Sequence, residues 1–285
     1  MTAHLFVLGP GYTALPIIEK ARKSGWNVTV TVRSEKTDEK IARPYSHISF
    51  EAGRLSEDAD VTHILCTIAP SASGDPSLEH WSKWIRDQKN LQSCHYLSST
   101  NVYGDHGGAW VDENTKPAPS LDRGHYRLKA EQAWQATADA AGCPLFIYRL
   151  AGIYGPGRNA LKTILSGKAR RIIKKGQQFG RIHVDDIKTV IWAAMCSAHN
   201  GGFFSVTDDL PTPPQTVIEA AARLLGVSPP RKEAFETAKM SPMARSFYAE
   251  NKRVRNQKIK AELGAVLQYP TYEEGLAALL KDIES

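Results

Sequence analysis

The sequence predicts an α/β fold: a doubly wound parallel sheet with helices on both faces and a smaller C-terminal part. Three observations predict it. Short apolar or β-branched runs alternate with helical patterns through the first half of the chain. A glycine-punctuated turn, "VLGPGYTA" at 7–14, joins the first run to the first helical pattern. After about residue 155 the texture changes to turn-rich, basic and proline-rich segments.

Residues 4–8, "HLFVL", read as a short buried strand ending in glycine. The helical pattern at 12–25 places Leu15, Ile18 and Ala21 on one face and stops at Gly25, which suits a helix C-terminus. Pro16 is compatible with this helix only near its start. "NVTVTV" at 27–32 is alternating and β-branched, and further strands are expected at 47–52, 62–68, 94–99 and 144–152. Helical patterns at 77–90 and 123–142 separate several of them. Strands joined through helices run parallel and are covered on both faces. A last strand, "GFFSVT" at 202–207, is expected to return to the same sheet.

The turn after the first strand carries Gly9, Gly11 and Ala14 in the pattern GxGxxA, with Tyr12 and Thr13 between them. Without side chains at the turn, the backbone can approach a pyrophosphate, and the following helix offers free N–H groups and the positive end of its dipole. The structural alternative is a tight connecting turn. A site for NAD wants an acid at the end of the second strand, to accept from the ribose 2′-hydroxyl. That strand instead ends in Arg33, followed by Ser34, and a guanidinium fork suits a 2′-phosphate. The expectation is therefore NADP, with NAD less favoured; Glu35 is the acid that would reverse it.

The 285 residues are 42% hydrophobic and carry a net charge of +6, which fits a polyanionic small molecule. Aromatic-interleaved basic motifs are absent, so no nucleic acid is expected. "IKTVIWAAMCSA" is too short to span a bilayer, and the N-terminus lacks a basic, cleavable signal, so no membrane is expected. Cys66, Cys94, Cys143 and Cys196 lack metal spacing and read as buried free thiols of a cytoplasmic protein. The expected partner is a small-molecule substrate; a homodimer is left open.

From "YLSSTNVYGD" (96–105) onward the chain resembles the extended short-chain dehydrogenase/reductase superfamily, in its NAD-dependent epimerase/dehydratase branch and among its atypical members. "RLAGIYGPGRN" (149–159), "RIHVDDI" (181–187) and "ELGAVLQYPTYEEGLAAL" (262–279) carry the rest of the likeness. The resemblance implies a Rossmann-type sheet with a smaller C-terminal substrate domain. We place the dinucleotide domain at 1–157 and a mostly substrate-binding region at 158–285. It implies a hydride-transfer oxidoreductase or epimerase acting on a hydroxyl or keto group of a polar, anionic, nucleotide-sugar-like substrate. Its chemistry uses a Ser or Thr, a Tyr, and a Lys four residues after the Tyr.

Ser99, five residues before Gly104, matches the family's hydroxyl; a strand-end serine bonding local backbone is the alternative. Tyr126 and Lys129 are three apart instead of four. Family members carry a glutamate four residues after the lysine, and counting back from Glu131 puts Arg127 and Arg123 in the dyad's frame. Tyr126 and Lys129 are then candidates for a rearranged catalytic pair, and Arg123 and Arg127 for anion contacts to the cofactor. Alternatively, the fold has kept NADP and lost catalysis, leaving a sensor or scaffold. Arg158 and Asn159, on the loop after the sixth strand, are substrate-binding candidates. So is Arg245, with Lys252 and Arg253, because related enzymes place an arginine in this region near a substrate diphosphate. Asp185 or Asp186 is expected to cap the helix after "HVDD", with His183 packed.

Overall fold

β1 (His4–Leu8) lies inside the main sheet because Leu5, Phe6, Val7 and Leu8 leave no polar face for water; all four are fully buried. The computed structural model describes residues 2–33, 45–56 and 59–284. The elements follow as α1 (Leu15–Lys23), β2 (Asn27–Val32), β3 (Ser46–Ser49), β4 (His63–Cys66), α2 (Pro76–Arg86), β5 (Ser93–Ser99), β6 (Trp110–Val111), α3 (Asp122–Ala141) and β7 (Leu145–Leu150). Then come β8 (Gly152–Tyr154), α4 (Ala160–Leu165), β9 (Arg171–Ile173), β10 (Arg181–His183), α5 (Val184–Met195), β11 (Gly202–Val206), α6 (Pro214–Leu224) and β12 (Lys232–Ala234). The last are α7 (Pro242–Ser246), β13 (Arg253–Val254), α8 (Gln257–Ala261) and α9 (Tyr272–Glu284).

Seven strands form one parallel sheet in the order β11-β7-β5-β4-β1-β2-β3. From β1 the chain first winds toward β3, then resumes at β4 on the other side. That reversal opens a crevice beyond the C-terminal ends of β1 and β4, where such sheets bind ligands. β11 pairs with β7, so the strand expected at 202–207 does return to the sheet. The strand expected at 47–52 is shorter: β3 ends at Ser49, and Phe50–Ala52 form a 3₁₀ turn that buries Phe50.

The helices cover both faces. On one, Ile17 and Ile18 of α1 pack with Ile187 and Ile191 of α5. On the other, Trp81 and Ile85 of α2 pack with Trp134 and Ala138 of α3. A separate apolar cluster, with Leu161, Val217, Ala221 and Leu276, joins α4, α6 and α9. Three two-stranded parallel pairs, β10–β8, β12–β9 and β13–β6, stitch the second half of the chain to the first and to itself.

Between α3 and the sheet lies a buried ion pair. Glu131 accepts from Arg149 Nη2 at 2.8 Å and from Ser98 Oγ at 2.5 Å. The Arg149 guanidinium also lies over the rings of Tyr103 and Phe203. At the start of α5 the cap is His183, whose Nδ1 accepts from the Asp185 amide; neither aspartate has that role. Asp186 instead is buried and accepts from the amides of Gln268 and Tyr269, anchoring the C-terminal region. Cys66, Cys94 and Cys143 are buried free thiols, whereas Cys196, the residue just after α5, is exposed.

Glu131→Ala would leave the Arg149 cation buried without its carboxylate, at a cost of about 3–5 kcal/mol in urea unfolding. A second expectation concerns Asp208, which follows β11. Burial pushes its carboxyl up to about 8, against the opposing pull of Arg181. Between about pH 4 and pH 8 the folded state then holds a proton that the unfolded state has lost, so stability falls as pH rises through that window. Asp208→Asn should flatten this slope, with a larger gain in urea midpoint at pH 8 than at pH 5.

Candidate functional site

The turn between β1 and α1 is held open by hydrogen bonds to its own backbone and to neighbouring threonines. Gly9 N–H donates to Thr31 Oγ1 at 3.1 Å, and Thr67 Oγ1 donates to Gly9 O. Gly9 has φ +85°, and a Cβ there would meet Ile68 Cγ1 at 2.5 Å, so both conformation and space demand glycine. Gly11 N bonds Gly9 O, while Ala14 N and Leu15 N bond Gly11 O. The amides of Tyr12 and Thr13 have no protein acceptor among the described residues. With Gly11 clear of neighbours within 4 Å, the turn presents bare backbone donors at a helix start. It fits a dinucleotide diphosphate.

Gly11, Tyr12 and Thr13 line a cavity of about 390 Å³ beyond the strand ends. Its floor includes Leu97, Ser98 and Ser99 from β5 and Leu150 from β7. Ser99 Oγ accepts from the Asn101 amide at 3.2 Å, capping the 3₁₀ turn Thr100–Tyr103. The hydroxyl thus does the local job that a strand-end serine does, and the residue still lines the cavity.

α3 presents Arg123 and Arg127 to this cavity; Tyr126 and Lys129 are not among its described lining residues. The cause is the helix's setting. A Cβ on Gly124 would meet Asn101 O at 2.7 Å and Pro119 Cβ at 2.8 Å, so the first turn of α3 presses directly against the turn after Ser99. Glu131, eight residues past Arg123 and four past Arg127, faces the sheet on the same side. At about 100° per residue, Lys129 is turned roughly 160° from Arg127; it is exposed, and Tyr126 is half-buried.

Arg127 Nη1 donates to Leu97 O at 2.6 Å and to Tyr96 Oη at 3.0 Å, which fixes its charge at the cavity edge. Arg123 reaches the other way. Its Nη1 donates to Ser246 Oγ at 2.8 Å, its guanidinium lies over Phe247, and its buried Nε has no partner.

The far wall comes from the C-terminal half: Gln178–Gly180, Phe247, Glu250, Lys252 and Val254. Lys252 is buried, and its Nζ donates to Gly104 O and to Glu250 Oε2, both at 2.7 Å. Ser120 Oγ donates to the other Glu250 oxygen at 2.8 Å. Burial pushes the Lys252 ammonium down from its usual value, against the pull of Glu250. Glu250 was not singled out from the sequence. The available signal was the Glu-x-Lys spacing just ahead of β13.

Other expected residues fall differently. Arg158 lines the cavity from the loop after β8. Asn159 caps α4, accepting from the Lys162 amide, and its Nδ2 donates to Gly155 O. Arg245 donates to Ala238 O, lies over Phe235 and is not among the described cavity-lining residues. Arg33 is exposed immediately after β2, next to the strand that carries the glycine turn; Ser34 lies outside the described residues. In the basic run 167–176, Arg170 pairs with Glu233 and Arg171 with Glu219.

The NAD dependent epimerase/dehydratase family model matches residues 80–206. A functionally unknown conserved protein from Silicibacter pomeroyi DSS is 45% identical, with all of both chains covered and a TM-score of 0.92. dTDP-glucose 4,6-dehydratase from Bacillus anthracis, in complex with NAD, superposes with a TM-score of 0.78 at 17% identity over 99% of this chain and 97% of its own. UDP-glucuronic acid 4-epimerase from Bacillus cereus, in complex with UDP-glucuronic acid and NAD, does so at 0.77 and 17% over 98% and 99%. No curated protein matches. Over residues 80–206 the chain is similar to the NAD dependent epimerase/dehydratase family, and it shares the Rossmann-type fold of these solved structures along nearly its full length. The family's name and both of these neighbours carry NAD, so the preference for NADP rests on Arg33 alone.

The loop glycines make a testable contrast. Gly155 has φ +154°, and a Cβ there would meet Tyr12 Oη at 2.6 Å and Val184 Cγ1 at 2.8 Å. Gly157 has φ +73° but open space. Gly155→Ala should cost about 2–3 kcal/mol in thermal unfolding, adding a clash to a strained backbone, and Gly157→Ala only about 1–2 kcal/mol.

Proposed function

We propose that the protein binds NADP across the Gly9–Ala14 turn and supports hydride transfer at a hydroxyl or keto group of a polar, anionic, nucleotide-sugar-like small molecule. One observation carries this reading: a continuous cavity joins the bare turn at Gly11–Thr13 to Ser99 and to a wall holding Arg123, Arg127 and Arg158. The turn would hold the diphosphate. The dinucleotide, when bound, supplies or takes a hydride. Ser99 would hold the reacting oxygen, and the arginines would draw an anionic substrate and hold its charge. Arg33, exposed where β2 ends, would take the 2′-phosphate. The free thiols in the core support a cytoplasmic setting.

The second reading is an NADP-binding sensor or scaffold without turnover. The observation that favours it is the pair Arg123 and Arg127 in the dyad frame, because a guanidinium does not act as a proton donor near neutrality. Tyr126 and Lys129 enter neither reading, since neither is among the described cavity-lining residues.

Calorimetry with NADPH and NADH, followed by NADPH consumption with a panel of keto compounds and nucleotide sugars, separates the two. Turnover lost in Ser99→Ala supports the first; tight binding without turnover supports the second. Arg33→Ala should weaken NADPH by about 10-fold or more and leave NADH within about twofold. Equal losses, or none, would remove Arg33 from the site.

A further inference from the structure

With guanidinium groups in the dyad frame, a carbonyl reduced in this cavity needs a different proton source. Besides the arginines, the titratable residues among the described lining are Tyr12, Glu250 and Lys252. Tyr12 lies on the turn side, its hydroxyl close to Gly155, and burial pushes the phenol up, away from easy proton release. Glu250 is occupied as an acceptor on both oxygens, by Ser120 and by Lys252.

Lys252 differs. Its ammonium has three protons; Gly104 O and Glu250 Oε2 take two, and the third has no protein acceptor among the described residues. The residue forms part of the same wall as Phe247 and Val254, facing the chamber that Ser99 floors. Resting on the hydride-transfer reading above, we propose that Lys252 Nζ is the proton donor to the substrate oxygen, positioned by Glu250, Ser120 and the Gly104 carbonyl. When a bound dinucleotide delivers hydride to the carbonyl carbon, the carbonyl π pair would move onto oxygen, and Lys252 Nζ would give the proton that completes the alcohol. The neutral amine left behind regains a proton from water. In the oxidative direction the same amine accepts the hydroxyl proton. Burial and the Arg123 charge favour proton release, while Glu250 and Asp105 hold the ammonium charged.

The test compares wild type with Lys252→Arg, which keeps a cation and its bonds but does not release a proton, and with Lys252→Gln in case the arginine does not fold. Three readouts are taken: NADPH affinity, NADPH consumption with keto acids, ketose phosphates and UDP-4-keto sugars, and an NMR titration of ¹⁵N-labelled lysine Nζ groups. NADPH affinity should stay within about twofold, turnover should fall about 100-fold or more, and the Nζ signal missing from the variant should titrate below the surface lysines. Wild-type turnover in Lys252→Arg, or a Lys252 that titrates with the surface lysines, overturns the proposal and leaves the hydride-transfer reading standing. A wild type that binds NADPH and consumes none with any compound overturns that reading, and the role of Lys252 falls with it. Failure to bind NADPH at all removes the cofactor assignment itself.

Discussion

The rotation of α3 about its own axis is set by one buried carboxylate. Glu131 is bonded to Ser98 on β5 and to Arg149 on β7, so it keys the helix to two adjacent strands at once. A helix keyed at one residue shows the same face one and two turns earlier. Arg127 and Arg123 are therefore directed to the strand ends, and Gly124 lets the first turn close onto Asn101. Shifting the helix by a single residue would swing that face by about 100° and would separate Glu131 from Arg149. The identity of the groups at the cavity follows from this constraint.

The two arginines serve different parts of the molecule. Arg127 is tied down on the sheet side by a strand carbonyl and a buried tyrosine, and contributes a fixed charge. Arg123 spans from α3 to Ser246 and Phe247 and so joins the sheet to the segment around α7. Opposite them, Lys252 and Glu250 form a neutralised pair, leaving Arg123, Arg127 and Arg158 as the excess charge on the described cavity lining. Under the proposed function, that excess of positive charge would favour an anionic guest over a neutral one.

The sheet was legible in the sequence because β1, β4 and β7 are largely apolar runs, which need burial on both faces, and β2 is β-branched. The glycine turn was legible because only glycine accommodates its conformation, as Gly9 against Ile68 illustrates. The frame given by Glu131 pointed to Arg123 and Arg127, which line the cavity, whereas Tyr126 and Lys129, noticed for their residue types and their spacing of three, are not among its described lining residues. Less was legible beyond residue 157, because side-chain direction there depends on short segments paired over long distances. Asn159 resembles a ligand contact in sequence but caps a helix, and Arg245 packs on Phe235. The cap at α5 is His183 because the helix begins at Val184, which puts both aspartates inside its first turn, where Asp186 accepts from Gln268 and Tyr269.

The Lys252–Gly104 bond closes a span of 148 residues, and β13 meets β6 over a comparable distance. Contacts so remote in sequence form late, because the loop entropy must be met before they return anything. On a ribosome, the glycine turn and the strands around it emerge long before residue 250. The two halves of the chamber therefore mature at different times, and a polypeptide cut short near its end would retain the glycine turn while lacking the wall that faces it.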